Sequence, residues 1–254
     1  MWKGDYSFVI SNLVQKDFRI RYRNMSLGIF WSLLNPLIMM GVLTFIFTRI
    51  FPNTHTADYS LSILCGLVPF NFFALAWVSG TTSLVENTAL IKRVPVPRQI
   101  FPVASVLSNC MHLIIQFGLL LMLVLIFGQG LNRQWLWLPL VWGLFIMFVT
   151  GISLAFSALN VYIRDTRYVV ESANTVLFWL VPIFYSFSVI PAKYAEIYKF
   201  NPVAALVFML RNILLEGRAP ATSTLWNLIL VSFLALGAGW LVFNRLEKRF
   251  YEYL

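Results

Sequence analysis

The sequence predicts an all-α integral membrane protein. It has six transmembrane helices, an N-terminal amphipathic interface helix, and short re-entrant helices between spans 5 and 6. Three observations carry this reading. Hydrophobic residues make up 59% of the 254 positions and charged residues only 11%, where soluble domains carry roughly 25% charged residues. The mean hydropathy is +0.77, so a water-soluble core of this size would lack the polar surface to cover it. Six stretches are apolar over about the 20 residues that a bilayer crossing needs. Thirteen of the 19 Lys and Arg residues then fall on one side of the resulting arrangement.

Residues 1–28 form the first unit. Trp2, Tyr6, Val9, Ile10 and Leu13 recur at helical spacing, and Lys16, Arg19 and Arg23 continue the same period. That is the pattern of an amphipathic helix lying in the membrane interface. A plain positive-inside anchor is the competing reading of the same cluster. The stretch holds no continuous apolar region followed by a small-residue cleavage site, so the first span is expected to be retained.

Residues 29–254 form the six-span domain. The spans are Ile29–Thr48, Leu61–Val78, Pro102–Phe127, Leu136–Ser157, Ala173–Ile190 and Leu225–Phe243. The fifth is short and contains Pro182, so a bend is expected there. An even number of spans puts both termini on one side. The Lys and Arg bias assigns that side to the cytoplasm. Lys16, Arg19, Arg21 and Arg23 then abut the first span where anionic lipid attracts them.

Three connections carry structure of their own. In "SLVENTALIKRVPVP", Ser83 and Glu86 stand three apart, a capping-box pattern. It predicts a short helix running to Arg93 and stopped by Pro95 and Pro97. In "NVYIRDTRYVVES" a helix is expected to start at Asp165 or Thr166. Between spans 5 and 6, "PAKYAEIYKF" predicts a short helix with Pro191 first. "NPVAALVFMLRNILLEG" then offers Asn201 as N-cap, Pro202 at the first helical position and Gly217 past the end. Some 14 residues reach about 21 Å, against about 30 Å of hydrocarbon. This helix is expected to dip into the outer leaflet or lie on it, an ordinary surface helix being the other reading. Arg211 within it would be costly against lipid, so it should face water, protein or an anion.

Several chemistries are disfavoured. None of the ten acidic residues sits in the middle of a span, and ion-coupled carriers need intramembrane carboxylates. No Asp-x-Asp or acidic cluster offers a metal site, and no catalytic residue stands out. His112 lies near Asn109 and Gln116, which points to an interhelical hydrogen bond. Cys65 and Cys110 fall in apolar runs and read as small core residues. The net charge of +9 sits in short loops without the long basic face of a nucleic-acid binder, so no nucleic-acid partner is expected. No phosphate-binding G-x-x-x-x-G-K-[ST] loop is present. Any uphill transport must draw its energy from another subunit.

Five stretches carry a resemblance: "KDFRIRYRNMSLGIFWSLLNPL", "LIKRVPVPRQIFPVASVLSN", "NVYIRDTRYV" with "VPIFYS", "NPVAALVFMLRNILLEG" and "FNRLEKRFYEYL". In this order, over almost the whole chain, they resemble the transmembrane permease subunit of ABC-2-type exporters. The polysaccharide and polyol phosphate branch, with its O-antigen, capsule and teichoic acid permeases, is the most similar. The resemblance implies a homodimer with two separate ATPase subunits in the bacterial cytoplasmic (inner) membrane. Its cargo would be a lipid-linked, O-antigen-like glycan used in lipopolysaccharide biosynthesis. ATP and Mg would belong to the partner subunit, with no cofactor and no metal in this chain.

The resemblance further implies ATPase coupling through Lys16, Arg19, Glu86, Lys92, Arg93 and Arg98. It places the channel entrance at Asn160–Tyr168 and the exit at residues 191–200 and 202–215, which include Arg211. Arg21 and Arg23, beside Arg19, are candidates for a lipid pyrophosphate head group, because guanidinium pairs well with phosphate oxygens. ATPase docking and membrane anchoring compete for the same residues. Sugar rings pack their C–H faces on aromatics, which makes Phe70, Phe72, Phe73 and Trp77 in span 2 candidate lining residues. Phe178, Trp179, Phe184 and Tyr185 in span 5 are candidates for the same reason. Core packing and interfacial belts are the alternative for all of them. A teichoic acid, capsule polymer or small amphiphilic drug is the alternative cargo. A polyprenyl-sugar enzyme and a passive pore are rivals from other classes.

Overall fold

The computed structural model describes residues 5–23, 28, 30–50, 59–94, 96–128, 130–185, 190–191, 193, 198 and 200–250. Among the described residues every regular element is helical.

α1 (Tyr6–Tyr22) begins at Asp5, whose carboxylate accepts hydrogen bonds from the backbone N–H groups of Ser7 and Phe8 at 2.9 and 3.3 Å. This satisfies donors that a first turn leaves free. The Ser7 hydroxyl and these N–H groups hold the exposed Asp5 carboxyl below its usual range. α2 (Phe30–Phe45) carries Pro36 and runs into a wider π turn at Ile46–Ile50. α3 (Tyr59–Glu86), α5 (Ile100–Phe127), α6 (Leu138–Tyr162) and α9 (Thr222–Glu247) are long and apolar. Together with α2, they give five helices among the described residues that are long and apolar enough to cross a membrane.

The fifth predicted span is different. α7 starts at Thr166, with Asp165 as its cap residue, and stops at Leu180, so Ala173–Ile190 is not one helix. Its 15 residues reach only about 22 Å. Pro182 explains the stop. Proline has no N–H to give, and it drives the residue before it out of the helical region. Val181 accordingly sits at φ −72° and ψ 135°.

The capping box is also overturned. Ser83 and Glu86 lie in the last turn of α3, and the Ser83 hydroxyl donates to the Gly80 carbonyl at 2.7 Å. The break comes at Asn87, and α4 (Thr88–Arg93) ends where the sequence places its end. α8 (Pro202–Leu214) starts as expected: Asn201 Oδ1 accepts from Val203 N at 3.0 Å and Ala204 N at 3.4 Å. Gly217 takes φ +64° just beyond it. Most of "PAKYAEIYKF" lies outside the described residues.

α3 is the central helix. In its most apolar stretch 72% of residues are buried, against 17% for α2 and for α9. It packs on α2, α5, α6, α7 and α8. α6 and α9 meet backbone to backbone. A methyl group at Gly151 would lie 2.5 Å from the Ala235 carbonyl oxygen, and one at Gly239 would run into the Gly151 backbone. Small residues let membrane helices close to this distance. The outward faces of α5 and α9 remain apolar and exposed at Ile114, Phe127, Phe233 and Leu234, as a lipid-facing surface should be.

Candidate functional site

Polar and charged side chains concentrate at two ends of the bundle. One end, the base, is where α1, α4 and the last turn of α9 meet. Leu13 of α1 is buried there with Leu84, Ile100, Phe101, Phe243 and Phe250. Val9, Ile10 and Val14 of α1 and Ile91 of α4 pack on the same cluster. The opposite face of α1 exposes Ser11, Asn12, Gln15, Lys16 and Arg19.

α1 is tied to the α3–α4 junction by Lys16, whose Nζ donates to Asn87 Oδ1 at 2.7 Å. Asn87 Nδ2 in turn donates to the Ser83 carbonyl at 2.8 Å. Lys16 Nζ is also 3.7 Å from the Asp17 carboxylate. Burial pushes the Asp17 carboxyl above its usual value, against the opposing pull of Lys16. Glu86, Lys92 and Arg93 are exposed around this junction, Arg23 is exposed at the end of α1, and Arg21 is half-buried. Lys16, Arg19, Glu86, Lys92 and Arg93 are thus exposed on the elements that meet at the base.

Arg98 is not exposed with them. It is 8% exposed, donates from Nη1 to the Glu247 carbonyl at 3.0 Å, and lies 5.6 Å from the Phe250 ring. Its charge secures the start of α5 to the end of α9. Gln99 Nε2 to Asn244 Oδ1 at 3.0 Å and Tyr162 OH to the Leu246 carbonyl at 2.6 Å add to the same joint. In the first turns of α7, Arg167 pairs with Glu171 at 2.8 Å. That hydrogen bond raises the Arg167 value further.

The aromatic candidates divide. Phe70, Phe73 and Trp77 do not offer surface to a cargo within this chain: they are 6%, 2% and 8% exposed. The reason is the central place of α3, which turns this face toward α6 and α7. Phe73 stacks on Phe148 at 6.3 Å, Trp77 meets Phe156 edge-on at 5.1 Å, and Phe70 meets Phe178 at 5.3 Å. Trp179 is 62% exposed and continues the outer face of α7, which also exposes Ser172, Thr175 and Val176. Tyr185 is half-buried, and its hydroxyl donates to the Leu180 carbonyl at 2.6 Å.

At the far end, Arg211 meets main chain. Its Nη2 donates to the carbonyls of Ile183 at 2.7 Å and Ser62 at 3.1 Å, Nε to Ser62 at 3.3 Å, and Nη1 to Tyr185 at 3.3 Å. Of the three environments expected for it, it has taken protein. Four of its five N–H donors are thus engaged by main-chain carbonyls.

The model for the ABC-2 type transporter family matches residues 9–215. The chain belongs to the ABC-2 type transporter family. The match opens inside α1 and closes just past α8, so it takes in both polar ends described above. Similar full-length proteins extend it through α9. The O-antigen export system permease protein RfbA of Klebsiella pneumoniae is 29% identical over 251 residues, 98% of this chain and 95% of that protein. The RfbA permease of Myxococcus xanthus is 26% identical over 249 residues, 97% and 95%. The polysialic acid transport protein KpsM of Escherichia coli is 22% identical over 244 residues, 94% and 93%. The molecule is thus a multi-pass membrane protein of an ABC transporter.

In this ABC-2 protein three residues that tie elements together at the two ends escaped the sequence reading. Asn87, the acceptor for Lys16, had a signal: asparagine at the end of an apolar helix marks a break. Tyr59 and Ser62, which hold the far end with Arg211, had none, because their roles depend on which helix stands opposite.

Proposed function

We propose that the chain is the permease half of an ATP-driven exporter of a lipid-linked, O-antigen-like polysaccharide. It works as a homodimer with two copies of a separate ATPase subunit, which carries the ATP and Mg. The complex sits in the bacterial inner membrane with both termini in the cytoplasm. The observation that carries this reading is the end-to-end relation to O-antigen export permeases from two organisms.

On this reading the base faces the cytoplasm. The ATPase meets the exposed Lys16, Arg19, Glu86, Lys92 and Arg93, and Arg98 acts behind them by joining α5 to α9. Closure of the ATPase around nucleotide pushes α1 and α4 together, since Lys16 and Asn87 link them. The shared apolar cluster at the base passes the motion to α3, α5 and α9. Arg21 and Arg23 hold the anionic head group of the cargo, and Trp179 offers a flat apolar face to sugar rings.

The test is deletion of the coding sequence in its host. Polymer should accumulate inside cells whose surface lacks it, and the intact chain should restore decoration. A deletion strain that still decorates its surface refutes the proposal.

A further inference from the structure

The five residues after α7 leave the helix, yet Val181, Pro182, Ile183 and Phe184 are buried. Irregular backbone at membrane depth survives only if its polar groups find partners within the protein. Here they do. The Leu180 carbonyl accepts from Tyr185 OH at 2.6 Å, and the Val181 carbonyl from Ile183 N at 2.7 Å. The Phe184 carbonyl accepts from Tyr59 OH at 2.7 Å. Arg211 takes the Ile183 and Tyr185 carbonyls and, with the same guanidinium, Ser62 of α3. The fit against α3 is close: a methyl group at Gly66 would lie 2.9 Å from Ile183 Cα.

Arg211 is thus the group that joins three elements: α8, which carries it, α3 at Ser62, and the unwound segment 181–185. No carboxylate among the described residues pairs with it. A planar fork of five N–H donors suits three separate acceptors, whereas a lysine ammonium is a compact point charge.

We propose that Arg211 is a positioning residue for export. It fixes segment 181–185 on α3 and thereby sets the far end of α7, where Trp179 is exposed. This rests on the export reading above. Hydrocarbon does not hold α7 at this end, because the helix stops short of a full crossing. Its position depends on these carbonyl bonds, and loosening them moves Trp179 relative to the rest of the bundle.

The test uses the full chain in membranes with Val181→Cys, a near-isosteric change at a buried position, and a membrane-impermeant maleimide as probe. The unsubstituted chain, which keeps Cys65 and Cys110, gives the background. Val181→Cys alone should label slowly. Adding Arg211→Gln should raise the rate about tenfold or more, the size expected for losing a charge-assisted hydrogen bond. Arg211→Lys should fall between. In the same cells, export per transporter should fall with Arg211→Gln.

If Arg211→Gln does not accumulate, Arg211→Lys is read in its place and should raise labelling by about fivefold. Unchanged labelling in whichever of these variants accumulates overturns the proposal. So does raised labelling with wild-type export per transporter, which would leave Arg211 a purely structural role. The labelling arm needs neither cargo nor ATPase, so it remains readable if the export reading itself fails.

Discussion

Replacing Leu13 by alanine should undock α1 from the base. Leu13 is 6% exposed and, among the described residues, is the buried apolar anchor of α1 in the cluster formed with Leu84, Ile100 and Phe101. A buried leucine cut to alanine costs about 2–5 kcal/mol. An undocked α1 can lay the leucine into the membrane interface, which returns part of the transfer free energy. The lower end therefore applies, about 2 kcal/mol, or roughly 30-fold in the docked-to-undocked ratio. The Lys16–Asn87 bond involves a side chain that is 43% exposed, and removing it should cost about 1 kcal/mol or less. Limited trypsin cleavage at Arg19 and Arg21 in inverted membrane vesicles reads the undocked fraction. Leu13→Ala should speed cleavage far more than Lys16→Ala, with the amount of protein in the membrane unchanged. If Lys16→Ala opens α1 more than Leu13→Ala does, apolar burial is not what holds this helix.

Charge reversal by Lys92→Glu with Arg93→Glu alters two exposed residues at the end of α4. It should lower export and cargo-stimulated ATP hydrolysis about tenfold without loss of folded subunit, and wild-type export from the double variant contradicts the coupling role. Gly239→Ala drives a methyl group into the Gly151 backbone, where no flexible side chain can yield, and should cost about 1–3 kcal/mol. Thermal unfolding in detergent checks it, with Gly237→Ala as control because a methyl there meets nothing within 4 Å. Asp17 supplies a pH dependence. Its carboxyl is raised by burial in the docked helix, so docked α1 holds the proton more tightly than undocked α1. Docking should strengthen as pH falls from neutrality through the docked-state value and weaken above it. Trypsin protection should track this, and Asp17→Asn should remove the dependence.

The parts of this fold set by local chemistry were legible in the sequence. Long apolar runs placed α2, α3, α5, α6 and α9. Asn201, Pro202 and Gly217 placed α8, because caps act within one turn. The stop of α4 at Arg93 followed from the prolines beyond it. Where two local signals competed, the reading failed. Ser83 and Glu86 matched a capping box, but an apolar helix already under way absorbed them. The run Ala173–Ile190 was apolar enough for a span, yet Pro182 ended the helix and side chains from α3 and α8 took over its carbonyls. Properties that depend on the opposing surface were out of reach. Arg98 and Lys92 look alike in sequence, but only Arg98 has Phe250 and the end of α9 above it. Phe73 and Trp179 are both aromatic residues in apolar runs, but Phe73 faces α6 across a packed seam and Trp179 lies on the open outer face of α7.

On the proposed reading, this chain provides the route and another subunit provides the energy. The direct measurement is reconstitution of the purified chain in liposomes, with and without its ATPase partner and with a lipid-linked glycan in one leaflet. ATP hydrolysis and glycan crossing are read together. The prediction is that neither occurs with this chain alone and that both appear, coupled, when the partner is added. Hydrolysis by the chain alone, or glycan crossing without the partner, would contradict it.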